Sequence, residues 1–391
     1  MSVVIIGAGQ AAAQLVASLR QGGFTGAIRM IGDEPYAPYQ RPPLSKKFLS
    51  ERPAPETLYF RAENFWREQG VTLDFGASVA AIDRAARRVT FADGREAAYD
   101  TLVLATGTRA RDLAVPGADL PGVFSLRKID DVRRLRAPLD AARRVVIVGG
   151  GYIGLEVAAV VRGEGRDVTV LEAEERVMKR VTSPVISTFM QNFHGRRGVD
   201  VRLGARLAAV EGEGRVRQVR LADGAVLAAD LVLMAVGARP NDDLAATAGL
   251  ACQDGVVVDE HGRTADPAIY AAGDCTRFPS KRYGRALRLE CVQNAIDQAK
   301  AVSAAILGKP QAYDPVPWFW SDQYELKLQM AGISDGYDDA LTVGDVAQAR
   351  FSVEYRRNGR LIAVDAVNDG RAYMGGRKRI AQETEAVEAS S

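Results

Sequence analysis

The sequence predicts an α/β protein in which one βαβ unit is written twice, and two observations predict it. The first is a repeated local order. A β-branched run, Val3 to Ile6, leads through Gly7-Ala8-Gly9-Gln10-Ala11-Ala12 into a helical stretch ending near Arg20, and a second apolar run follows from Ile28 to Ile31. At 145 the order returns as Val145 to Val148, then Gly149-Gly150-Gly151-Tyr152-Ile153-Gly154, a helix to about Arg162, and Val168 to Leu171. Short continuous apolar runs are the pattern of parallel strands buried on both faces.

The second observation is a matching distal element. Asp93-Gly94 precedes Asp100-Thr-Leu-Val-Leu-Ala105-Thr106-Gly107, and Asp223-Gly224 precedes Asp230-Leu-Val-Leu-Met-Ala235-Val236-Gly237. Seven residues separate the two aspartates in both copies, and seven more lead to the glycine. Each Asp-Gly reads as a hairpin turn and each apolar run as a strand ending on glycine. The stretch from Pro35 to Leu49 has no counterpart in the second copy. Beyond about 315, Trp318-Phe-Trp320-Ser-Asp-Gln-Tyr324 opens a third segment with strands at Phe351–Tyr355 and Leu361–Val367. The closing QETEAVEASS is polar and is expected to fray.

With 391 residues the chain is long enough for two or three modules. Its 51 Lys+Arg against 49 Asp+Glu give no global attraction to nucleic acid or membrane. No apolar stretch approaches the roughly 20 residues of a spanning helix. The N-terminal apolar run lacks a preceding Lys or Arg and is cut by Gly7, Gly9 and Gln10, a poor fit to a secretory signal. The expectation is a soluble chain with no membrane partner and no nucleic-acid partner. Cys252, Cys275 and Cys291 form no C-x-x-C pair, so no disulfide framework is expected and a cytoplasmic setting is. Two histidines, His194 and His261, tell against a histidine-rich metal site or a Ser-His-Asp hydrolase, and no metal site is predicted.

Gly7-x-Gly9-x-x-Ala12, after a strand and opening a helix, has the context of a dinucleotide fingerprint. The first glycine makes the turn, the second admits a pyrophosphate, and the third position needs a small residue for close packing. Asp33 and Glu34 stand where an acid would bind a ribose diol. The ordinary alternative is a plain βα turn. Gly149-x-Gly151-x-x-Gly154 repeats the argument with Glu172, eighteen residues beyond Gly154. A carboxylate there repels a 2′-phosphate and favours NAD over NADP, whereas Arg176 and Lys179 would serve a phosphate if their loop folded back.

Further motifs carry a family resemblance: Tyr39-Gln-Arg-Pro-Pro-Leu-Ser-Lys46, Gly149-Gly-Gly-Tyr-Ile-Gly-Leu-Glu156, Ala271-Ala-Gly-Asp274, Arg288-Leu-Glu-Cys-Val-Gln-Asn294 and Pro317-Trp-Phe-Trp-Ser-Asp-Gln-Tyr324. In this order, over nearly the whole chain, they resemble the FAD- and NAD-dependent ferredoxin reductases. The resemblance implies a glutathione-reductase-type flavoprotein with two Rossmann-like dinucleotide-binding domains and an α+β C-terminal domain. Residues 1–108 and 238–315 would form a discontinuous FAD-binding domain, 109–237 the NAD-binding domain, and 316–391 a domain capping the flavin. The implied activity takes electrons from NADH through FAD and passes them singly to a [2Fe–2S] ferredoxin serving a cytochrome P450 or a ring-hydroxylating oxygenase. Alternatives are rubredoxin reductase, an NADH oxidase or quinone reductase, and an apoptosis-inducing-factor-like flavoprotein whose binding is redox-gated.

The resemblance also assigns residues. Gly7, Gly9, Ala11, Ala12, Asp33, Glu34, Arg41, Lys46, Val79, Ala105, Thr106, Gly107, Arg127, Asp274, Val292 and Trp320 would contact FAD. Gly149, Gly151, Tyr152, Ile153, Gly154, Glu156, Glu172, Val236 and Gly237 would serve NAD. Asp274 also reads as a helix N-cap, and Trp318 as core. Lys46, Glu156 and Trp320 would be the catalytic group, Lys46 balancing the charge of reduced flavin and Glu156 orienting it; the ordinary alternative is an ion pair between domains. Cys291 stands where many relatives have serine and reads as a small buried hydrophobe. Disulfide reductases of this fold carry a cysteine pair beside the flavin; Arg41 to Leu49 has none. Lys281, Arg282 and Arg285, with Arg377, Lys378 and Arg379, are the candidate docking clusters for an acidic ferredoxin.

Overall fold

A computed structural model of the chain describes residues 1–388, with side chains to residue 383. The two repeats fold as two all-parallel, five-stranded sheets with the same strand order. In the first, Val71–Phe75, Ala27–Gly32, Ser2–Ile6, Thr101–Leu104 and Ile269–Ala271 lie side by side. In the second the order is Val199–Arg202, Asp167–Leu171, Arg144–Val148, Leu231–Met234 and Val123–Ser125. The fifth strand comes from far downstream of the first repeat but from just upstream of the second. Val3 to Ile6 and Val145 to Val148 are buried along their whole length, which is why both read as unbroken apolar runs.

Each repeat also carries a three-stranded antiparallel meander, Val79–Asp83, Arg88–Phe91 and Glu96–Ala98 in the first, Leu207–Glu211, Gln218–Leu221 and Val226–Ala228 in the second. The predicted hairpin turns are there. Gly94 and Gly224 take φ of +85° and +89°, and Asp93 and Asp223 each accept the backbone N–H two residues on.

The chain divides into two compact units. One contains residues 1–40, 54–109 and 239–315; the other contains 41–53, 110–238 and the chain from Val316 onward. This differs from the expected three-part division at two places. The third segment groups with the second repeat, and the stretch Arg41–Pro53 leaves the first repeat to join them. The reason is packing within the second unit. Tyr152, on the helix Tyr152–Gly163, lies 4.7 Å from the Phe319 ring and donates its hydroxyl to Met330 Sδ at 2.8 Å. Arg136 lies over the Phe48 ring at 4.6 Å, binding the short insert helix Lys47–Ser50 to the helix Ile129–Ala141.

The third segment is an antiparallel sheet ordered Trp318–Gln323, Leu326–Gly332, Arg360–Val367, Arg350–Arg357 and Asp339–Asp345. The helix Gly370–Glu388 packs on it through Tyr373 and Ile380. A helix runs to Glu388 where a frayed tail was expected, and it is tied down as far as Glu383: Leu361 donates its N–H to Glu383 Oε2 at 2.9 Å and Arg360 binds the Glu383 carbonyl. Residues 389–391 lie outside the described residues. Among the described residues no helix is long and apolar enough to cross a membrane.

One buried carboxylate in the second unit has hydroxyl partners. Asp365 Oδ2 accepts from Thr182 Oγ1 at 2.5 Å and from Tyr355 OH at 2.6 Å. Burial outweighs these bonds and pushes its pKa up to about 6. An acid raised above its unfolded value stabilises the fold below the unfolded pKa and loses that contribution as pH rises through the folded pKa. Stability should therefore fall between about pH 4 and pH 6, by an amount on the order of 1–3 kcal/mol. Thermal unfolding of Asp365→Asn, which keeps an acceptor and removes the charge, should show a flatter profile across that window and a higher Tm than the native chain at pH 8. An unchanged profile would mean that Asp365 does not titrate there.

Candidate dinucleotide sites and the Lys46–Glu156 centre

The two glycine turns are built alike. Gly7 and Gly149 sit at φ +114° and +109°. A Cβ at Gly7 would lie 2.1 Å from the Ala105 carbonyl oxygen, and one at Gly149 would lie 2.3 Å from that of Ala235. Those carbonyls belong to the strand-ending glycine motifs, whose Ala105 and Ala235 N–H groups bond to Ile6 and Val148. Only glycine fits the approach. At Gly154 a Cβ would meet the Gly149 carbonyl at 2.0 Å, the close packing expected of the third glycine. The first repeat has Ala12 there, fully buried.

Gly9 and Gly151 behave differently. Each is the N-cap of a twelve-residue helix, with extended backbone, no side-chain cap and no acidic residue in the first turn. A Cβ at either would meet nothing within 4 Å. Among the described residues no side chain accepts from the first-turn N–H groups, and the helix dipole adds positive potential. A pyrophosphate fits this cradle. Both turns carry it.

The acids are not equivalent. By strand register, Ile6 pairs with Ile31 and Val148 with Leu171, so Gly32 occupies the position that Glu172 occupies in the second repeat. Ala8 packs on Gly32, whereas Gly150 packs on Glu172 and donates its N–H to Glu172 Oε2 at 2.8 Å. Glu174 N–H bonds the other Glu172 oxygen at 2.9 Å, so this carboxylate is held at the turn by the backbone. In the first repeat the acids fall one and two positions later: Asp33 is exposed, and Glu34 is buried with its Oε2 accepting from Tyr39 OH at 2.7 Å. Arg176 binds the Thr182 carbonyl and Ser187 Oγ, and Lys179 pairs with Glu174 and Glu175. Both have partners close by in the chain.

Within the first unit, Thr106 and Gly107 are tied to Asn241. Thr106 Oγ1 donates to the Asn241 carbonyl at 2.7 Å, Asn241 Nδ2 to the Thr106 carbonyl at 2.8 Å, and Asn241 N–H to the Gly107 carbonyl at 2.9 Å. Nothing in the spacing of motifs pointed to Asn241. Asp274 accepts from Thr108 Oγ1 at 3.4 Å and is followed by the strand Thr276–Ser280, so the N-cap reading is corrected. The cap of the next helix, Val292–Ile306, is Cys291, whose Sγ accepts from Asn294 N–H at 3.4 Å. That revises Cys291 from filler to cap. Burial pushes its thiol up to about 12, and that of the buried Cys275 up as well, so neither is a ready thiolate. Ala11 is buried against Gly273, with 3.3 Å from its Cβ to a Cβ built there. Val79 opens a meander strand, half-buried.

Arg41, Lys46, Arg127 and Trp320, all expected at the flavin, belong to the second unit. Arg41 donates to the Arg127 carbonyl at 2.9 Å. Lys46 Nζ meets Glu156 Oε2 at 2.7 Å and the Pro42 carbonyl at 3.2 Å. Glu156 is 3% exposed, and the rest of its carboxylate is covered by two hydroxyls, Ser45 Oγ to Oε2 at 2.5 Å and Ser321 Oγ to Oε1 at 2.6 Å. Sequence reasoning placed Lys46 and Glu156 but missed both serines, though each lies inside a quoted motif. The pair lies within one compact unit, not between two. Trp320 is half-buried beside Trp318, whose ring packs on the C-terminal core and lies under Arg377 at 5.5 Å. Tyr152 is half-buried, Ile153 is exposed, and Val236 packs in the second-repeat core beside Gly237, whose carbonyl accepts from Arg111 N–H.

Of the basic clusters, Lys281 and Arg285 are exposed and Arg282 half-buried. Arg379 is paired with Glu354, whereas Lys378 is exposed and meets no carboxylate among the described residues.

Comparison with known proteins agrees with this geometry. Residues 1–299 match the pyridine nucleotide-disulphide oxidoreductase family, and residues 318–390 match the reductase C-terminal family. The chain is 44% identical to rhodocoxin reductase of Rhodococcus erythropolis over 384 residues, 98% of this chain and 90% of that protein. Among solved structures it resembles the ferredoxin reductase for the CYP199A2 system of Rhodopseudomonas palustris, with TM-score 0.95 and 43% identity over 96% of this chain and 93% of that one. It also resembles the covalent putidaredoxin reductase–putidaredoxin complex, with TM-score 0.94 and 41% identity over 97% and 92%.

The turn geometry separates fold from binding. Gly7→Ala should lower the Tm by several degrees, because a methyl meets a carbonyl at a strained φ, a mechanism worth about 1–3 kcal/mol. Gly9→Ala should leave the Tm within about 2 °C yet release FAD far more readily on dilution and gel filtration. Equal effects of the two on Tm would contradict the assignment.

Proposed function

Because the chain belongs to the pyridine nucleotide-disulphide oxidoreductase family, we propose that it is an NADH-dependent, FAD-containing reductase. Its acceptor is a [2Fe–2S] ferredoxin that feeds a cytochrome P450 or a ring-hydroxylating oxygenase, and it works in the cytoplasm. The observation that carries the reading is the pair of uncapped glycine-turn helices in one chain, joined to a reductase C-terminal segment. Rhodocoxin reductase and the reductase for the CYP199A2 system are named for partners of this kind, and the putidaredoxin complex pairs such a reductase with its acceptor. The raised thiols of Cys275 and Cys291 favour direct transfer over a thiol relay.

FAD, when bound, supplies the conversion of a hydride pair into single electrons. The chain's own residues bind and orient. Gly9 and Gly151 open the two helix ends to pyrophosphates, with Ala12 and Gly154 keeping each helix close to its strand. Glu172, held by Gly150 and Glu174 N–H, presents a carboxylate to a ribose diol and disfavours a 2′-phosphate. Lys46, held in place by Glu156, would supply a cation to offset the negative charge that FAD gains on reduction.

Purified protein should be yellow, with one non-covalent FAD per chain, and should reduce a [2Fe–2S] ferredoxin with NADH faster than rubredoxin, quinone or oxygen. FMN in place of FAD, or rubredoxin as the preferred acceptor, would overturn the reading. NADH should exceed NADPH in kcat/KM, and Glu172→Ala should narrow that gap by raising KM for NADH. Lys46→Ala should slow flavin reduction by NADH in stopped flow by about 10-fold or more with FAD retained; an unchanged rate would reduce the pair to a structural tie. Ferredoxin reduction should slow as salt rises, since screening reaches about 10 Å at 0.1 M. Charge reversal at Lys281, Arg285 or Lys378 should slow it further while sparing ferricyanide reduction.

A further inference from the structure

Behind Glu156 the hydrogen-bond chain continues. Ser321 and Gln323 stand two apart on the strand Trp318–Gln323 and face the same side. Ser321 Oγ lies 2.6 Å from Glu156 Oε1, Gln323 Nε2 lies 3.1 Å from Ser321 Oγ, and Gln323 Oε1 lies 2.8 Å from His194 Nε2. His194 comes from the helix Pro184–Arg196 and is 0% exposed; Gln323 is 1% exposed. All these residues, with Lys46 and Ser45, lie in the second unit.

Chemistry dictates the direction of this chain. A serine hydroxyl has one hydrogen, and the carboxylate takes it. Toward Gln323 the hydroxyl can then only accept, so the amide nitrogen donates and the amide oxygen faces His194. An amide oxygen can only accept, so the ring hydrogen must sit on Nε2. His194 Nδ1 is buried with no hydrogen-bond partner among the described residues, which suits a bare lone pair better than an orphaned N–H. Burial, with Arg197 nearby, outweighs the Gln323 bond and lowers the pKa of the imidazole, which favours the neutral ring. Every bond from His194 inward therefore points its hydrogen toward Glu156.

We infer that Gln323 and His194 are positioning residues for the Lys46–Glu156 centre: the neutral Nε2–H tautomer of His194 locks the Gln323 amide, which commits the Ser321 hydroxyl to Glu156. With the other tautomer the amide would turn over, Ser321 would donate to Gln323, and Glu156 would keep one hydroxyl donor instead of two. The Lys46 ammonium would then be held by a carboxylate with greater freedom. The consequence for turnover rests on the ferredoxin-reductase reading; the tautomer does not.

Nitrogen-15 NMR of the holoenzyme labelled at histidine tests the tautomer directly, since only His194 and His261 contribute rings. His194 should appear as the Nε2–H form from pH 6 to pH 8, and an Nδ1–H or charged ring there would overturn the inference. In stopped flow, His194→Phe should lower the limiting rate of flavin reduction by NADH by about 10-fold with the NADH Kd within about twofold. His194→Gln, whose amide can donate to Gln323, should restore much of the lost rate. A limiting rate in His194→Phe equal to the native one, or no recovery in His194→Gln, would overturn it. Should His194→Phe not fold, Gln323→Glu serves: its carboxylate should draw a second proton onto His194, seen in the same spectrum, and slow the limiting rate. A neutral ring with a native rate would count against the proposal. Failure to reduce ferredoxin with these results intact would sink the acceptor assignment alone.

Discussion

A charged carboxylate in an apolar interior needs donors on both oxygens, and in finding them Glu156 joins three separate stretches of chain. Lys46 and Ser45 come from the insert after the first repeat, Ser321 from the third segment, and Glu156 itself from the helix of the second glycine turn. Removing any one leaves the others with an unmatched polar group in a site that is almost closed to water, a cost of about 1–3 kcal/mol. This requirement explains why the insert groups with the second repeat instead of the first, which precedes it in sequence. It also explains why the C-terminal sheet belongs to that same unit.

The second constraint is the approach of a strand-ending carbonyl to the first glycine of each turn. At Gly7 and Gly149 the space left for a side chain is smaller than a methyl group, so the backbone itself packs the turn. On that shared frame one exchange makes the two sites different. The first repeat places Ala8 against Gly32; the second places Gly150 against Glu172 and uses the freed volume for a carboxylate bonded to the turn. One architecture thus carries two glycine turns that differ in where the acid stands and in what holds it.

The repeat units and the glycine turns were legible in sequence because each rests on local rules: apolar runs for buried strands, glycine where φ is positive or the backbone approaches closely, Asp-Gly for the hairpins. Lys46 and Glu156 were legible through their motifs. The cap at Cys291, the tie between Asn241 and Thr106, and the closing helix to Glu388 were not. Each depends on a partner distant in sequence or on a role that several residue types can fill. A polar tail reads as solvent-exposed until Arg360, Leu361 and Glu383 are brought together.

What the sequence by itself determined is the chemistry available: two turns that accept only glycine at their first position, an acid after the second, a lysine and a glutamate on matching motifs, and cysteines too scattered for a thiol relay. What only the tertiary structure decided is how that chemistry is held. The unit to which Arg41–Pro53 belongs, the two serines on Glu156 and the line of bonds back to His194 depend on side chains meeting within 3.1 Å, most of them more than a hundred residues apart. Hydrogen-bond direction is a property of such a network as a whole, because each donor is fixed only when its neighbour has spent its own hydrogen. No single stretch of sequence contains that information.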